Sequence, residues 1–189
     1  MYAVRFVRIA VAAICIALAW AIPARADSLD GALDRALADF GVIKPRVSIP
    51  APDFSLAGLD GKRLSLSSTR GKIVLLHFWA TWCVPCRKEM PLLYELEKEF
   101  ADQDFALMYV NVDRGNRAAV EKFLLGIGQY FHTLLDPGGE VRNTYEVRAL
   151  PTSYIIGRDG KIIGKIIGER DWAGSQALDM VKALLNKDT

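Results

Sequence analysis

The chain has 189 residues, of which 51% are hydrophobic and 24% are charged, and its formal net charge is +2 at pH 7. That is enough chain for one domain with a buried core. The nearly balanced charge gives no basic face, so a nucleic-acid partner is not indicated.

The N-terminus has the three parts of a secretory signal. Arg5 and Arg8 precede residues 9–22, which carry no charge, and Ala24-Arg25-Ala26 offers the small residues that a signal peptidase reads. The apolar run is shorter than the about 20 residues that span a bilayer as a helix. Cleavage after Ala26 is therefore expected. An uncleaved inner-membrane anchor, with both arginines on the cytoplasmic side, is the alternative.

Removal of residues 1–26 would change both the charge and the cysteine count. Three arginines and no acidic residue lie in this segment, so the formal net charge would fall from +2 to −1. Cys15 would also be lost, which leaves Cys83 and Cys86 as the remaining cysteines. An exported protein with a single cysteine pair of this spacing is expected to use it for disulfide exchange.

The remaining elements follow from hydrophobic periodicity and turn residues. Residues 27–39 predict an amphipathic helix, either a cover for the fold or a docking or dimer element. Alternation around Asp60-Gly61 predicts a β-hairpin. In chain order there follow a buried strand at 73–79, a helix from the second cysteine to Phe100, a strand at 105–112, a helix at 117–127, a helical turn at 140–145, strands at 152–156 and 161–167, and a helix capped by Asp171 that runs to Leu185. This order predicts an α/β domain with parallel strands first and an antiparallel pair at the end.

Cys83 and Cys86 lie between a predicted strand and a predicted helix. A thiol at a helix N-terminus faces unpaired N–H groups and the positive end of the helix dipole, and both favour the nucleophilic thiolate. A zinc site needs about four ligands, and beyond this pair the chain offers only Cys15, His77 and His132. A structural disulfide gains little from so short a loop. The spacing therefore predicts redox chemistry and no metal site.

Several motifs make the chain resemble the thioredoxin superfamily, in particular the exported TlpA/ResA-type branch that includes the CcmG/DsbE proteins. They are Ala-Pro-Asp-Phe at 51–54, Phe-Trp-Ala-Thr-Trp-Cys at 78–83, Cys-Arg-Lys-Glu-Met-Pro at 86–91, Val-Arg-Ala-Leu-Pro-Thr at 147–152 and Asp-Gly-Lys-Ile at 159–162. The resemblance implies a thioredoxin-like fold, with a central mixed sheet flanked by helices and an added N-terminal β-hairpin. The expected organisation is a signal peptide at 1–26, an N-terminal helix and linker at 27–50, and a thioredoxin-like domain at 51–189.

The resemblance also implies a function. Members of this branch are mostly disulfide reductases outside the cytoplasmic membrane. A periplasmic enzyme is therefore expected, one that reduces protein disulfides without a cofactor in cytochrome c maturation or copper-protein assembly. Expected partners are disulfide-bearing substrates, such as apocytochrome c or a copper chaperone, and a membrane thiol reductant of the DsbD or CcdA type.

Other functions stay open at this point. A general envelope oxidant or isomerase would use the same cysteines at a different potential. A copper-binding assembly module is also compatible with two thiolates. A peroxiredoxin would need proline at position 76 and threonine at position 80, where this chain has Leu76 and Ala80.

The cysteine motif suggests roles for its neighbours. Cys83 is the expected attacking thiolate and the more exposed cysteine. Cys86, one helical turn later, would resolve the mixed disulfide. Pro85 suits the first turn of a helix. Trp82 is expected to lie over the active surface and to contact substrate.

Three further residues have roles suggested by the resemblance, and a fourth departs from it. Pro151 matches the cis-proline that faces the cysteine pair, which would expose the backbone of Leu150 for strand-like pairing with a substrate. Glu89 matches a partly buried acid that passes protons to the thiols, although a helix glutamate is more commonly solvated. His77 departs from the family, where Asp or Asn is common. It is either a neutral core histidine bonded to a neighbour or a base for Cys86.

Overall fold

The structure is a computed structural model that describes residues 24–115, 117–128 and 132–187, with side chains from residue 30 onward. Most of the predicted signal, residues 1–23, lies outside the described residues. Within the described ranges, no helix has both the length and the apolar character needed to cross a membrane.

An eight-stranded mixed sheet forms the centre of the domain. Its strands are β1 (Ile49–Pro50), β2 (Ser55–Gly58), β3 (Arg63–Ser65), β4 (Ile73–Trp79), β5 (Phe105–Asn111), β6 (Thr133–Leu135), β7 (Thr152–Ile156) and β8 (Lys161–Ile167). They lie in the order β1-β8-β7-β4-β5-β6-β2-β3. β4, β5 and β6 run parallel, whereas β7 is antiparallel to both β4 and β8. The predicted fold class, an α/β domain with a mixed sheet, is confirmed.

β4 is the central strand of the core. All seven of its residues are buried, because β5 and β7 pair with its edges and its continuous apolar run suits a strand covered on both faces. His77 is the one polar residue in this strand. The register of the β4–β7 pair places it opposite Ser153. β4 leads directly into the loop that carries Cys83.

Helices surround the sheet. They are α1 (Ala24–Asp39), α2 (Val84–Glu99), α3 (Arg117–Gly126), α4 (Glu140–Thr144) and α5 (Ser175–Asn186), with a 3-10 turn at Leu66–Thr69. α1 packs against α5 and buries Leu33 and Leu37, and Phe40, which directly follows it, is buried as well, so this amphipathic helix covers the fold. α1 begins three residues earlier than predicted. The predicted cleavage after Ala26 therefore falls within its first turn.

The predicted cap of the last helix is wrong. α5 begins at Ser175 with Gly174 as its N-cap, and Gly174 offers no side chain for capping. Asp171 instead accepts a hydrogen bond from the N–H of Ala173, 3.3 Å away, within the preceding turn. A short aspartate side chain readily bonds the backbone two residues on, which stabilises a turn in place of a helix start.

Candidate active site

Cys83 and Cys86 form a disulfide at the N-terminus of α2. Cys83 is the N-cap residue in extended conformation, and its sulfur accepts the N–H of Cys86 at 3.2 Å. Pro85 lies in the first turn, where its missing N–H costs no helical hydrogen bond. Cys83 is 5% exposed and Cys86 is fully buried. The prediction that Cys83 is the more accessible cysteine is confirmed.

A buried aspartate holds the loop in front of Cys83. Both carboxylate oxygens of Asp113 lie within hydrogen-bond distance of the N–H of Thr81, at 3.2 and 3.1 Å. Asn111, at the carboxyl end of β5, donates its side-chain amide to Asp113 at 3.2 Å. Sequence reasoning missed Asp113. The available signal was a polar residue at the end of an apolar strand parallel to β4, Asn111, with Asp113 two residues later, because parallel strands end on the same side of a sheet.

Apolar side chains flank the disulfide at the surface. Trp82 is 64% exposed and Val84 is 59% exposed. Trp82 also borders a shallow cavity of about 300 Å³, whose other lining residues are Thr81, Val112, Asp113, Arg114 and Arg142. Trp79, in contrast, is fully buried and donates its ring N–H to Thr133. Trp82 is thus exposed next to Cys83 in the chain, and its predicted contact with substrate stays a prediction.

The peptide bond between Leu150 and Pro151 is cis, as the resemblance implies. Thr152 pairs with Phe78, so the cis bond lies beside the carboxyl end of β4, where the chain enters the loop that carries Cys83. Leu150 is half-buried and Pro151 is buried. Their predicted contribution to substrate binding stays a prediction.

Glu89 is buried within α2, as the resemblance implies and contrary to a solvated glutamate. Its Oε2 accepts two hydrogen bonds of 3.0 Å each, one from the backbone N–H of Arg170 and one from the ring N–H of Trp172. Its Oε1 lacks a hydrogen bond and lies 3.4 Å from Nε2 of His77. Burial raises the pKa of Glu89 to about 7, even though the two donors oppose that shift.

His77 is fully buried next to Glu89. Its Nδ1 lies 2.9 Å from Oγ of Ser153, while its Nε2 has no hydrogen bond. Burial lowers the pKa of His77 to about 3. Because burial favours the neutral form of both residues, the contact is better described as a carboxylic acid facing a neutral imidazole than as an ion pair. This arrangement fits the neutral core histidine, and the role of a base for Cys86 stays a prediction.

The structure therefore gathers the predicted residues at one edge of the sheet and adds others. Ser153, Arg170 and Trp172 were missed. No local signal distinguishes them, because the side chains of Ser153 and Trp172 and the backbone N–H of Arg170 reach the site from distant parts of the chain. In the part of the chain that the structure describes, no three His, Cys, Asp or Glu side chains cluster as a metal site would require.

Comparison with known proteins decides the family. The family model described as AhpC/TSA matches residues 47–165. The chain belongs to this thioredoxin-like family. A thiol-disulfide oxidoreductase ResA from Bacillus cereus (strain ZK / E33L) is 38% identical over 127 residues, which cover 67% of this chain and 73% of that protein.

Solved structures place this AhpC/TSA family member in the same group. A protein assigned as the thiol:disulfide interchange protein DsbE from Chlorobium tepidum is 33% identical with a TM-score of 0.66, covering 72% of this chain and 96% of that one. StoA from Bacillus subtilis is 27% identical with a TM-score of 0.60, covering 73% and 99%. The family member is thus a disulfide-exchange oxidoreductase of ResA/DsbE type. Arg170 and Trp172 lie beyond the residues that the family model matches.

Proposed function

We propose that this protein reduces disulfide bonds of other proteins outside the cytoplasmic membrane, by dithiol exchange at Cys83 and Cys86. One observation carries the proposal. The sulfur of Cys83 caps α2 and accepts the N–H of Cys86, beside the exposed side chains of Trp82 and Val84. A cap position stabilises a thiolate, and an exposed apolar rim suits a protein substrate.

The reaction has two exchange steps. In the reduced enzyme, the Cys83 thiolate attacks one sulfur of the substrate disulfide, forms a mixed disulfide and releases the other substrate sulfur as a thiolate, which takes up a proton. Cys86 then loses its proton and attacks the Cys83 sulfur, so that the bond from Cys83 to the substrate breaks. Two electrons have passed to the substrate, and the enzyme is left with the Cys83–Cys86 disulfide.

Proton transfer at Cys86 is the demanding part of this cycle. Cys86 is fully buried, so its thiolate is costly unless a nearby group takes the proton. Glu89 lies one helical turn farther along α2, and its pKa of about 7 suits proton exchange near neutral pH. We assign Glu89 as the proton acceptor. His77, which contacts Glu89, supports it, and burial disfavours a positive charge on its imidazole.

Substrate binding is assigned to the rim of the disulfide. Trp82 and Pro85 offer apolar contact next to Cys83, and the backbone of Leu150 would pair with an extended substrate segment. A changed side chain at Leu150 should alter the redox potential or the choice of substrate. Identical kinetics with every disulfide substrate would contradict that role.

Export to the periplasm is supported by the signal features at residues 1–26 and by the single cysteine pair that would remain. In that compartment a reductase needs electrons from the cytoplasmic side, so a membrane thiol reductant of the DsbD or CcdA type is the proposed donor. Apocytochrome c and a copper chaperone are the proposed substrates, in cytochrome c maturation or copper-protein assembly.

Trapping in cells tests the function directly. Cys86→Ser keeps the attacking sulfur but cannot resolve the mixed disulfide, so it should accumulate adducts with substrate proteins. Cys83→Ser is the matched control and should accumulate none through Cys86, which is buried. Adducts with an apocytochrome or a copper protein would identify the pathway. Absence of adducts with Cys86→Ser, or equal adducts with both variants, would overturn the proposal.

The direction of exchange is tested separately by the redox potential. Related folds span about −270 to −120 mV, with reductants at the negative end. We expect the Cys83–Cys86 pair near that negative end. A value near the positive end would instead indicate an oxidant.

A further inference from the structure

We propose that Trp172 and the main chain of Arg170 position Glu89 so that its proton lies on Oε1, and that His77 changes tautomer each time Glu89 ionises. Trp172 is thus a positioning residue for the proton acceptor of the exchange reaction. Its relevance to catalysis rests on the proposed function, but the hydrogen arrangement itself is tested without it.

The argument begins with the unequal environments of the two carboxyl oxygens. Oε2 of Glu89 accepts N–H groups from both Arg170 and Trp172, at 3.0 Å each. A proton on Oε2 would point at two donors. The acid form must therefore carry its proton on Oε1, which faces Nε2 of His77 at 3.4 Å. Neither of those two atoms has another partner, so each is the natural partner of the other.

Ser153 allows the histidine to hold its hydrogen on either nitrogen. Its hydroxyl lies 2.9 Å from Nδ1 of His77, and a hydroxyl can donate or accept. With Glu89 protonated, Oε1–H donates to Nε2 and Nδ1–H donates to Ser153. With Glu89 ionised, Nε2–H donates to Oε1 and the Ser153 hydroxyl donates to Nδ1. The two arrangements differ by one proton, and the imidazole is neutral in both.

The charges around the pair are consistent with this exchange. On Glu89, the negative charge of Glu169 raises the pKa and the positive charge of Arg170 lowers it, while burial has the largest effect. Next to His77, the ring of Tyr109 on β5 lies 6.3 Å from the imidazole. Burial disfavours an imidazolium at this position. Cys83 and Cys86 add no charge while they are joined as a disulfide.

Residues near the two ends of the domain hold the two groups that donate hydrogen bonds to Glu89. The ring of Trp172 packs on Phe40 with centroids 5.0 Å apart, and Nε of Arg170 donates to the carbonyl of Phe40 at 3.3 Å. Phe40 directly follows α1. The positions of both donors to Glu89 therefore depend on contacts outside residues 47–165, the part that the family model matches.

Nitrogen NMR of the whole oxidised protein tests the proposal, because the cysteines do not titrate in that form. Between pH 5 and 9, His77 should stay neutral while its hydrogen moves from Nδ1 to Nε2 as Glu89 ionises. In Glu89→Gln the tautomer of His77 should not change with pH. A fixed tautomer in the unaltered protein, or an imidazolium signal from His77, would overturn the proposal.

Trp172→Phe tests the positioning role. It keeps a ring against Phe40 and removes the N–H that stabilises ionised Glu89. The midpoint of the His77 change should rise by about one pH unit. An unchanged midpoint would contradict a role for Trp172. The trapping experiment reports separately on function. If trapping fails while the tautomer of His77 still changes with pH, the reductase function alone is rejected. If trapping succeeds while the tautomer stays fixed, this inference alone is rejected.

Discussion

The backbone N–H of Cys86 points at the sulfur of Cys83, 3.2 Å away, so the first cysteine of the pair is also the residue that begins α2. The same contact that completes the helix start also stabilises negative charge on the sulfur. The start of α2 and the stability of the Cys83 thiolate thus both depend on the sulfur of Cys83. A substitution at Cys83 should change the stability of the helix as well as the chemistry.

Substitutions at Cys83 should separate these two roles. Cys83→Ser and Cys83→Ala both lack the disulfide, but a serine oxygen still accepts the N–H at the helix start. We expect Cys83→Ala to be less stable than Cys83→Ser by about 1 kcal/mol in urea unfolding. At Cys86, which is buried and is not a cap, serine should not be the more stable choice. Serine favoured at both positions would contradict the capping role.

The position of the site follows from the sequence, whereas its inner contacts do not. Residues 152–156 and 161–167 form strands with the predicted limits, and the cysteines follow β4 as expected. These features depend on local periodicity and turn residues. The contact of Glu89 with Trp172 joins residues 83 apart in the chain. It depends on how α2, α5 and the segment between β8 and α5 pack, and spacing in the sequence carries no information about that packing.

Trp82 should contribute to substrate binding and little to stability. Its side chain is largely exposed beside Cys83, so Trp82→Ala should change the free energy of unfolding by less than about 0.5 kcal/mol. Loss of apolar contact should lower kcat/KM for a protein disulfide roughly fivefold, which is about 1 kcal/mol. Kinetics with a small aromatic disulfide provide the control and should change much less. An equal loss with both substrates would indicate an effect on Cys83 itself.

Asp113 should hold the loop that leads to Cys83. Asp113→Ala removes the acceptor for the Thr81 N–H and a partner of the Asn111 amide, so buried polar groups lose hydrogen bonds. We expect a loss of about 1–3 kcal/mol in unfolding free energy and faster hydrogen exchange at Thr81. Asp102→Ala is a matched control, because Asp102 is exposed. Unchanged exchange at Thr81 would contradict this role.

Opposite pKa shifts of Glu89 and His77 should shape the pH dependence of stability in the oxidised protein. The pKa of Glu89 rises on folding from 4.5 to about 7. The contribution of Glu89 to the free energy of unfolding is full below pH 4.5 and falls by about 3 kcal/mol as the pH rises through 7. The pKa of His77 falls on folding from 6.5 to about 3, so its contribution is full above pH 6.5 and is lost as the pH falls toward 3. Between pH 4.5 and 6.5 the two slopes cancel.

The pH dependence that each residue contributes should become measurable when the other residue is replaced. In Glu89→Gln, His77 is the one member of this pair that still titrates. The unfolding free energy should therefore rise between pH 4.5 and 6.5 by about 1.4 kcal/mol per pH unit. In His77→Asn only Glu89 remains, and the free energy should fall over the same range. Urea unfolding at several pH values, with the disulfide intact, measures both. Profiles of the two variants that run parallel to each other would show that burial does not shift these two groups in opposite directions.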